Sequence, residues 1–252
     1  MDLELKGKTA IVTGGSRGIG KAVARELALE GVDVAIVART QVPLEAAANE
    51  LAQETGRRII AIPADTGLDE SVRSMVSRAA EAFGHLDILV NCAAQAGGYG
   101  PVPALSDITN DHFWSDMNIK VMGYLRCARE VAPFMRQQGW GRIINISGLA
   151  ARQSGTTIGS MRNVSVAAMT KNLADELGPH GINVTVVHPG TTRTERMSEE
   201  TAQRVAQNNS VRRTIDARDI AHIVAFLASP KSVAITGDAI AAGGGVGRGI
   251  YY

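Results

Sequence analysis

The sequence predicts an α/β fold: a single doubly wound parallel sheet with helices on both faces. Three observations carry that expectation. Short apolar stretches alternate with helical patterns along almost the whole chain. A glycine-rich stretch, Thr13-Gly14-Gly15-Ser16-Arg17-Gly18-Ile19-Gly20, stands where the first apolar stretch gives way to the first helical one. No repeat, low-complexity linker or composition shift divides the 252 residues, so 1–252 reads as one domain with a full core.

In chain order, Thr9 to Val12 is a short buried strand and Lys21 to Glu30 a helix, with Ile19, Val23 and Leu27 at helical spacing and Gly31 as its stop. Val32 to Val37 is the second strand, Pro43 to Glu54 a helix, Arg58 to Pro63 the third strand. Leu68 to Phe83 is helical, with Val72, Met75, Val76 and Ala79 on one side. Leu86 to Val90 is a strand, and Cys92 to Thr109 a loop carrying Gly and Pro. A long helix from Asp111 to Gln138 leads to a strand over Gly141 to Ser147. A helix from about Gly159 to Leu177 is stopped by Gly178-Pro179, and Ile182 to Val187 is the next strand. Thr191 to Arg213 is polar and charged, and about 190–214 reads as a substrate loop. Asp216 caps a helix to Ala228, and Ala234 to Ala241 closes the sheet.

Composition narrows the function. Hydrophobic content is 45% and formal net charge is +1, which suggests neither disorder nor a surface for nucleic acid. No apolar run reaches membrane-spanning length, and Met1-Asp2-Leu3-Glu4 has no basic region, so a cytoplasmic protein is expected. Cys92 and Cys127 both lie in apolar stretches and read as buried free thiols. No Cys/His cluster has metal-ligand spacing.

The glycine stretch points to a nucleotide. Gly14 permits a tight turn, Gly18 and Gly20 leave room for phosphates, and the helix behind them offers free N–H groups and a positive dipole end. In such sheets ligands bind beyond the carboxyl ends of the strands. The residues there are the glycine loop, Ala38-Arg39-Thr40, Ala64-Asp65, Asn91-Cys92-Ala93-Ala94, Ser147 and His188-Pro189-Gly190, which argue for one long cleft. An acidic residue after the second strand would bond a ribose 2′-hydroxyl, whereas this chain has Arg39 there and Arg17 in the loop. Two guanidiniums suit a 2′-phosphate, with Ser16 and Thr40 adding hydroxyls, so NADP(H) is favoured over NAD(H). The alternative is a pair of solvated surface arginines.

With its Gly-x-x-x-Gly-x-Gly spacing, Thr13 to Gly20 resembles the cofactor loop of the short-chain dehydrogenase/reductase family, and the resemblance extends from about Lys8 to the C-terminus. It implies a Rossmann-like domain, cofactor contacts from Gly14, Ser16, Arg17, Gly18, Ile19 and Gly20, and adenine recognition by Asp65. Asn91 and Ala93 resemble part of the family's Asn-Asn-Ala-Gly; Pro189, Gly190 and Thr194 resemble its nicotinamide-amide loop. Asn118 matches the Asn of the proton relay, Ser147 the Ser that polarises the carbonyl, and Ile235-Thr236-Gly237 the entry to the last strand. Family members pair their long helices across a two-fold axis, so a homo-oligomer, tetramer or dimer, is implied.

The family also carries Tyr and, four residues later, Lys on the helix after Ser147. Counting back from Lys171 puts Gly159 and Asn163 at those positions; the longer spacing gives Ser160 and Val164. The tyrosines are Tyr99, Tyr124, Tyr251 and Tyr252, none of them on this helix. Asn163 is a neutral replacement for Lys on a ribose hydroxyl. Arg162 cannot release a proton. His188 and Tyr99 are candidates to face the substrate, the former alternatively a strand-end His bonded to backbone. Two functions follow: an NADP(H)-dependent oxidoreductase of atypical mechanism acting on an unidentified small molecule, or a non-catalytic NADP(H)-binding sensor or partner subunit.

Overall fold

Strands and helices alternate as the sequence predicts in the computed structural model, which describes residues 1–95 and 103–247. The first half runs β1 (Thr9–Thr13), α1 (Gly18–Leu29), β2 (Asp33–Ala38), α2 (Gln41–Thr55), β3 (Ile59–Pro63), α3 (Asp69–Phe83) and β4 (Ile88–Asn91). The second runs α4 (Asn110–Met117), α5 (Gly123–Gln138), β5 (Gly141–Ile146), α6 (Thr157–Leu177), β6 (Ile182–Pro189), β7 (Thr192–Arg193), α7 (Glu199–Ala206), β8 (Ile215–Asp216), α8 (Ala217–Ala228) and β9 (Ala239–Ala242). Seven strands pair in the order β3-β2-β1-β4-β5-β6-β9, all parallel. Val12 of β1 stands opposite Ile36 on one side and Val90 on the other. The chain winds outward from β1 to β3, then returns to β4 on β1's other flank. That reversal opens a crevice at the carboxyl ends of β1 and β4.

The apolar runs read as parallel strands because both sheet faces are covered. Every residue of β1 and β5 is buried. One face packs Val23 and Leu27 of α1, Leu44 and Leu51 of α2, and Ile220 and Val224 of α8. The other packs Val72 and Met75 of α3, Val131 and Met135 of α5, and Leu177 of α6. Truncating a side chain such as Leu27, fully buried at 0% exposure, to Ala would cost roughly 2–5 kcal/mol.

Four expectations need correction. The helix from Asp111 to Gln138 is continuous in direction but contains a π-helical turn, Asn118–Met122, between α4 and α5. The segment 190–214 is more than a polar loop: it holds α7, and β7 pairs with β8. β9 begins at Ala239 because the preceding residues turn, with Ile235 N–H donating to Ser232 O and Gly237 at φ +73°. Cys92 is half-buried; Cys127 is buried, and both are free thiols. Among the described residues no helix is long and apolar enough to cross a membrane.

Candidate active site

A cleft of about 560 Å³ lies over the β1–β4 switch point and reaches along the strand ends. Its floor is set by β1 and β4: the Thr13 hydroxyl accepts hydrogen bonds from the N–H groups of Cys92 (3.0 Å) and Ala93 (3.1 Å). Gly14, at φ +69°, turns the chain out of β1, and a Cβ there would stand 3.1 Å from Ala93 N. Gly20 has a different reason from the one its sequence position suggests. A Cβ on Gly20 would lie 2.3 Å from Gly14 O, so this glycine lets the loop pack on its own helix. Gly14, Ser16, Arg17, Gly18, Ile19 and Gly20 line one end of the cleft, joined by Arg39, Thr40 and Asp65. Arg17 and Arg39 are exposed, and neither is held in an ion pair with a described residue. Asp65 Oδ1 accepts from Gly67 N–H at 2.9 Å, which fixes the carboxylate at the rim.

The N-terminus of α1 already holds an anion. Both oxygens of Glu195 accept from Gly18 N–H, at 2.9 and 3.2 Å. Burial opposes the charge on Glu195, but hydrogen bonds from Gly18 and from its own backbone, with Lys21 and Arg17 nearby, leave its pKa below the usual carboxylate value. Thr194, beside it, also lines the cleft. The contact spans 177 residues of sequence, and no local pattern announces it.

At the other end, β5 delivers Ser147. Its N–H donates to Val187 O at 2.8 Å, and its hydroxyl donates to the backbone carbonyl of Asn163 at 3.2 Å. The π-helical turn brings Lys120 to the same wall. Lys120 Nζ donates to Ser147 O (3.0 Å) and to Asn163 Oδ1 (3.2 Å). Burial pushes the Lys120 ammonium down to a pKa of about 7; the Arg162 cation acts in the same direction, while Cys92 and Asp116 oppose it. Turns of this kind insert a residue into a helix and recur at functional sites. Sequence reasoning passed over Lys120, although a cation within Ile119-Lys120-Val121-Met122 was a signal that its charge had to find buried partners.

The structure separates the remaining expected residues. Asn118 does not reach the cleft: its amide donates to Gly67 O at 3.1 Å, on the α3 side of the helix. The turn that follows it presents Lys120 instead. Asn91 and Asn163 are buried behind the lining. Asn91 donates to Asn145 Oδ1 at 2.9 Å, and Asn163 reaches the site through its contacts with Ser147 and Lys120. Ala93 lines the cleft. Pro189 ends β6 opposite Ala242, and Gly190 follows it, its N–H donating to Ala242 O at 3.3 Å. His188 is only 1% exposed, so it does not face a substrate. Its Nδ1 has no partner among the described residues, and burial, then Arg152 and Lys120, holds its pKa down near 4. Arg162 forms an ion pair with Asp116 that ties α6 to α4. At Gly159 a Cβ would stand 2.4 Å from the Thr156 hydroxyl, the cap that accepts from Gly159 N–H. Tyr99 lies outside the described residues.

Comparison with known proteins agrees with this architecture. A family model described as enoyl-(acyl carrier protein) reductase matches residues 14–247. The short-chain reductase protein NovJ of Streptomyces niveus is 36% identical over 248 residues, covering 94% of this chain and 92% of that one. The 3-oxoacyl-(acyl-carrier-protein) reductase FabG of Staphylococcus epidermidis is 32% identical over 254 residues, covering 95% and 98%. Among solved structures, L-sorbose reductase from Gluconobacter frateurii, complexed with NADPH and L-sorbose, is similar at a TM-score of 0.91 and 27% identity, covering 99% of this chain and 100% of that one. With the family match running through the glycine loop, the parallel sheet and the strand-end cleft, the chain belongs to the short-chain dehydrogenase/reductase family of NAD(P)-dependent oxidoreductases.

Proposed function

We propose that this protein is an NADP(H)-dependent oxidoreductase that interconverts a small carbonyl compound and its alcohol without the family's Tyr and Lys on α6. The observation that carries this reading is one cleft that joins the glycine loop, Ser147 and two guanidiniums with no ion pair among the described residues. The loop fits a dinucleotide phosphate: the α1 N-terminus binds a carboxylate from within the chain, and a phosphate is the stronger anion for the same N–H groups. Gly14, Ser16, Gly18, Ile19 and Gly20 would hold the diphosphate; Arg17, Arg39 and Thr40 the 2′-phosphate; Asp65 the adenine; Ala93 and Thr194 the nicotinamide half. Asn91, Asn163, Pro189 and Gly190 support these contacts from behind. When bound, the reduced cofactor supplies a hydride. Ser147 then donates its hydroxyl proton in a hydrogen bond to the substrate oxygen instead of to Asn163 O. Relatives named as reductases of a 3-oxoacyl thioester and of a sugar support a carbonyl as the substrate class.

A homo-oligomer is part of the same reading. Met122, Met161 and Val164 are 40%, 48% and 50% exposed around the helices that family members pair. Light scattering at micromolar concentration should give more than a monomer's mass; a monomer would refute this part.

The test of function is a fluorescence titration with NADPH and NADH. On the same preparation a turnover screen follows, over ketones, diketones, a 3-oxoacyl thioester, an enoyl thioester and alcohols. Tighter binding of NADPH and reduction of at least one carbonyl are expected. Binding without any turnover would replace this reading with that of an NADP(H)-binding sensor or partner subunit, which the absence of Tyr at Gly159 favours. Absence of binding would overturn both.

A further inference from the structure

The wall of the cleft at Ser147 contains an amine with an uncommitted proton. An ammonium carries three N–H donors. Lys120 gives two, one to Ser147 O and one to Asn163 Oδ1. Lys120 is 4% exposed, yet it lines the cleft with Ile146 and Ser147. The third donor has no acceptor among the described residues. The other charged residues lining the cleft, Arg17, Arg39, Asp65, Glu195 and Arg196, belong to the nucleotide end.

The groups around this amine make poorer proton carriers. Arg162, from α6, is paired with Asp116 of α4 and does not release a proton. Tyr124 donates its phenol proton to Ile146 O at 2.9 Å, and burial first of all raises its pKa well above the usual value. Burial pushes the Cys92 thiol, beyond β4, up to about 12. His188, on β6, is held neutral inside the sheet.

We propose that Lys120 is the catalytic acid of carbonyl reduction, and the base of the reverse reaction, in place of the tyrosine that Gly159 does not supply. This rests on the oxidoreductase reading above. In the forward step the carbonyl carbon gains a hydride from the bound reduced nicotinamide, forming a C–H bond as the C=O π bond opens. The oxygen takes the proton of Lys120 Nζ, forming O–H and breaking N–H. The nicotinamide is oxidised, the carbonyl is reduced, and the amine is left neutral, to be reprotonated from solvent. Ser147 O and Asn163 Oδ1 orient the nitrogen throughout. An amine titrating near neutrality can both give and take a proton at working pH.

The experiment compares wild type with Lys120→Arg and Lys120→Gln, using the carbonyl that wild type reduces fastest in the screen. Lys120→Arg keeps a cation and donors but cannot release a proton. Both variants should lose roughly 10²- to 10⁴-fold in kcat, with the dissociation constant for NADPH unchanged within about threefold, the resolution of the titration. In wild type, kcat for reduction should fall above about pH 7 and kcat for oxidation should rise there. A second readout needs no turnover. In lysine labelled with carbon-13 at Cε, the resonance lost in Lys120→Gln should titrate near pH 7 in wild type, with and without NADPH. Variants that retain the wild-type rate would overturn the proposal and leave the oxidoreductase reading standing. Wild type that binds NADPH and reduces nothing would end both. Should the variants not fold, the wild-type NMR titration decides: if no lysine resonance titrates below pH 9, the proposal is overturned.

Discussion

The two ends of the cleft are built by different means. The nucleotide end is mostly backbone and solvent-facing side chain: glycines that turn or pack closely, a helix N-terminus, and two exposed arginines. The chemistry end is a buried set of side chains from separate elements, in which Lys120 of the π-helical turn bonds both Asn163 of α6 and the carbonyl of Ser147. The difference decides what each end can tolerate. Backbone geometry constrains sequence one position at a time, so the glycine loop keeps its family form. A buried polar set requires only that its donors and acceptors balance, so an amine can arrive from another helix while α6 carries a neutral amide.

The largest effect expected of that contrast lies in the Lys120–Asn163 contact. Asn163→Lys alone would bury a second ammonium against the first, and Lys120→Asn alone would leave Ser147 O and Asn163 Oδ1 without their donor. Each should destabilise, the former by about 3–5 kcal/mol for a buried charge without compensation. The double exchange places one amine and one amide back across the contact. It should recover about 1–3 kcal/mol relative to the sum of the singles, read by urea unfolding. Strict additivity would mean that the contact carries no energy. The same logic bears on installing the family's pair. Gly159→Tyr with Asn163 kept should be better tolerated than Gly159→Tyr with Asn163→Lys, because Lys120 already occupies the amine's place. Either variant must first turn the Thr156 hydroxyl away from its cap, at about 1 kcal/mol.

The pH dependence of stability probes the same group. The folded-state pKa of Lys120, about 7, lies below its ordinary 10.5. Between those values the unfolded chain binds the additional proton, so stability rises with pH across that window. Below about pH 7 the amine is charged in both states and its burial penalty is present in full. Compared with Lys120→Met, wild type should therefore gain relative stability from pH 7 towards pH 10 in chemical unfolding. A difference independent of pH would show that the amine is not held in the low-polarity setting described above.

The sheet was legible in the sequence because its signals are local and repeated. Apolar runs such as Ala10-Ile11-Val12 leave few options when buried on both faces, and Asp216 begins α8 as a capping residue should, its N–H bonded to Asp219 at 2.8 Å. At the site, Ser147 and the glycine loop stood at strand ends, where position implies role. Asn118 stands inside a helix instead, where its amide turns to Gly67 O, and the π-helical turn that begins there leaves no pattern in composition. Lys120 was hidden for the same reason. Glu195 was invisible because its partner, Gly18, lies 177 residues away in the sequence.

The nucleotide end gives smaller effects. Arg39 follows β2 and lies exposed at the cleft. Wild type is expected to bind NADPH at least tenfold more tightly than NADH, about 1.4 kcal/mol. Arg39→Asp should reverse the preference by removing a guanidinium from the 2′-phosphate and offering a carboxylate to a 2′-hydroxyl. Equal affinities in wild type, or an unchanged ratio in the variant, would return Arg39 to the solvated surface.

The smallest effect concerns Glu195, and its sign is informative. Both carboxylate oxygens accept from Gly18 N–H, so the anion site at α1 is filled from within the chain. A cofactor diphosphate seeking the same N–H groups must first displace this carboxylate and would then lie close to a like charge. Interaction of an exposed anion with a helix N-terminus contributes roughly 0.3–1 kcal/mol. Glu195→Gln keeps the size and a hydrogen-bond acceptor but removes the charge. The variant should bind NADPH about two- to fivefold more tightly, that same energy expressed as a ratio. The gain should shrink as added salt screens the exposed charges. At the same time the cofactor-free variant should unfold more easily, by no more than the interaction it has lost. Weaker NADPH binding by Glu195→Gln would mean that this carboxylate assists the bound state, and that segment 190–214 closes over the cofactor with Glu195 as one of its contacts.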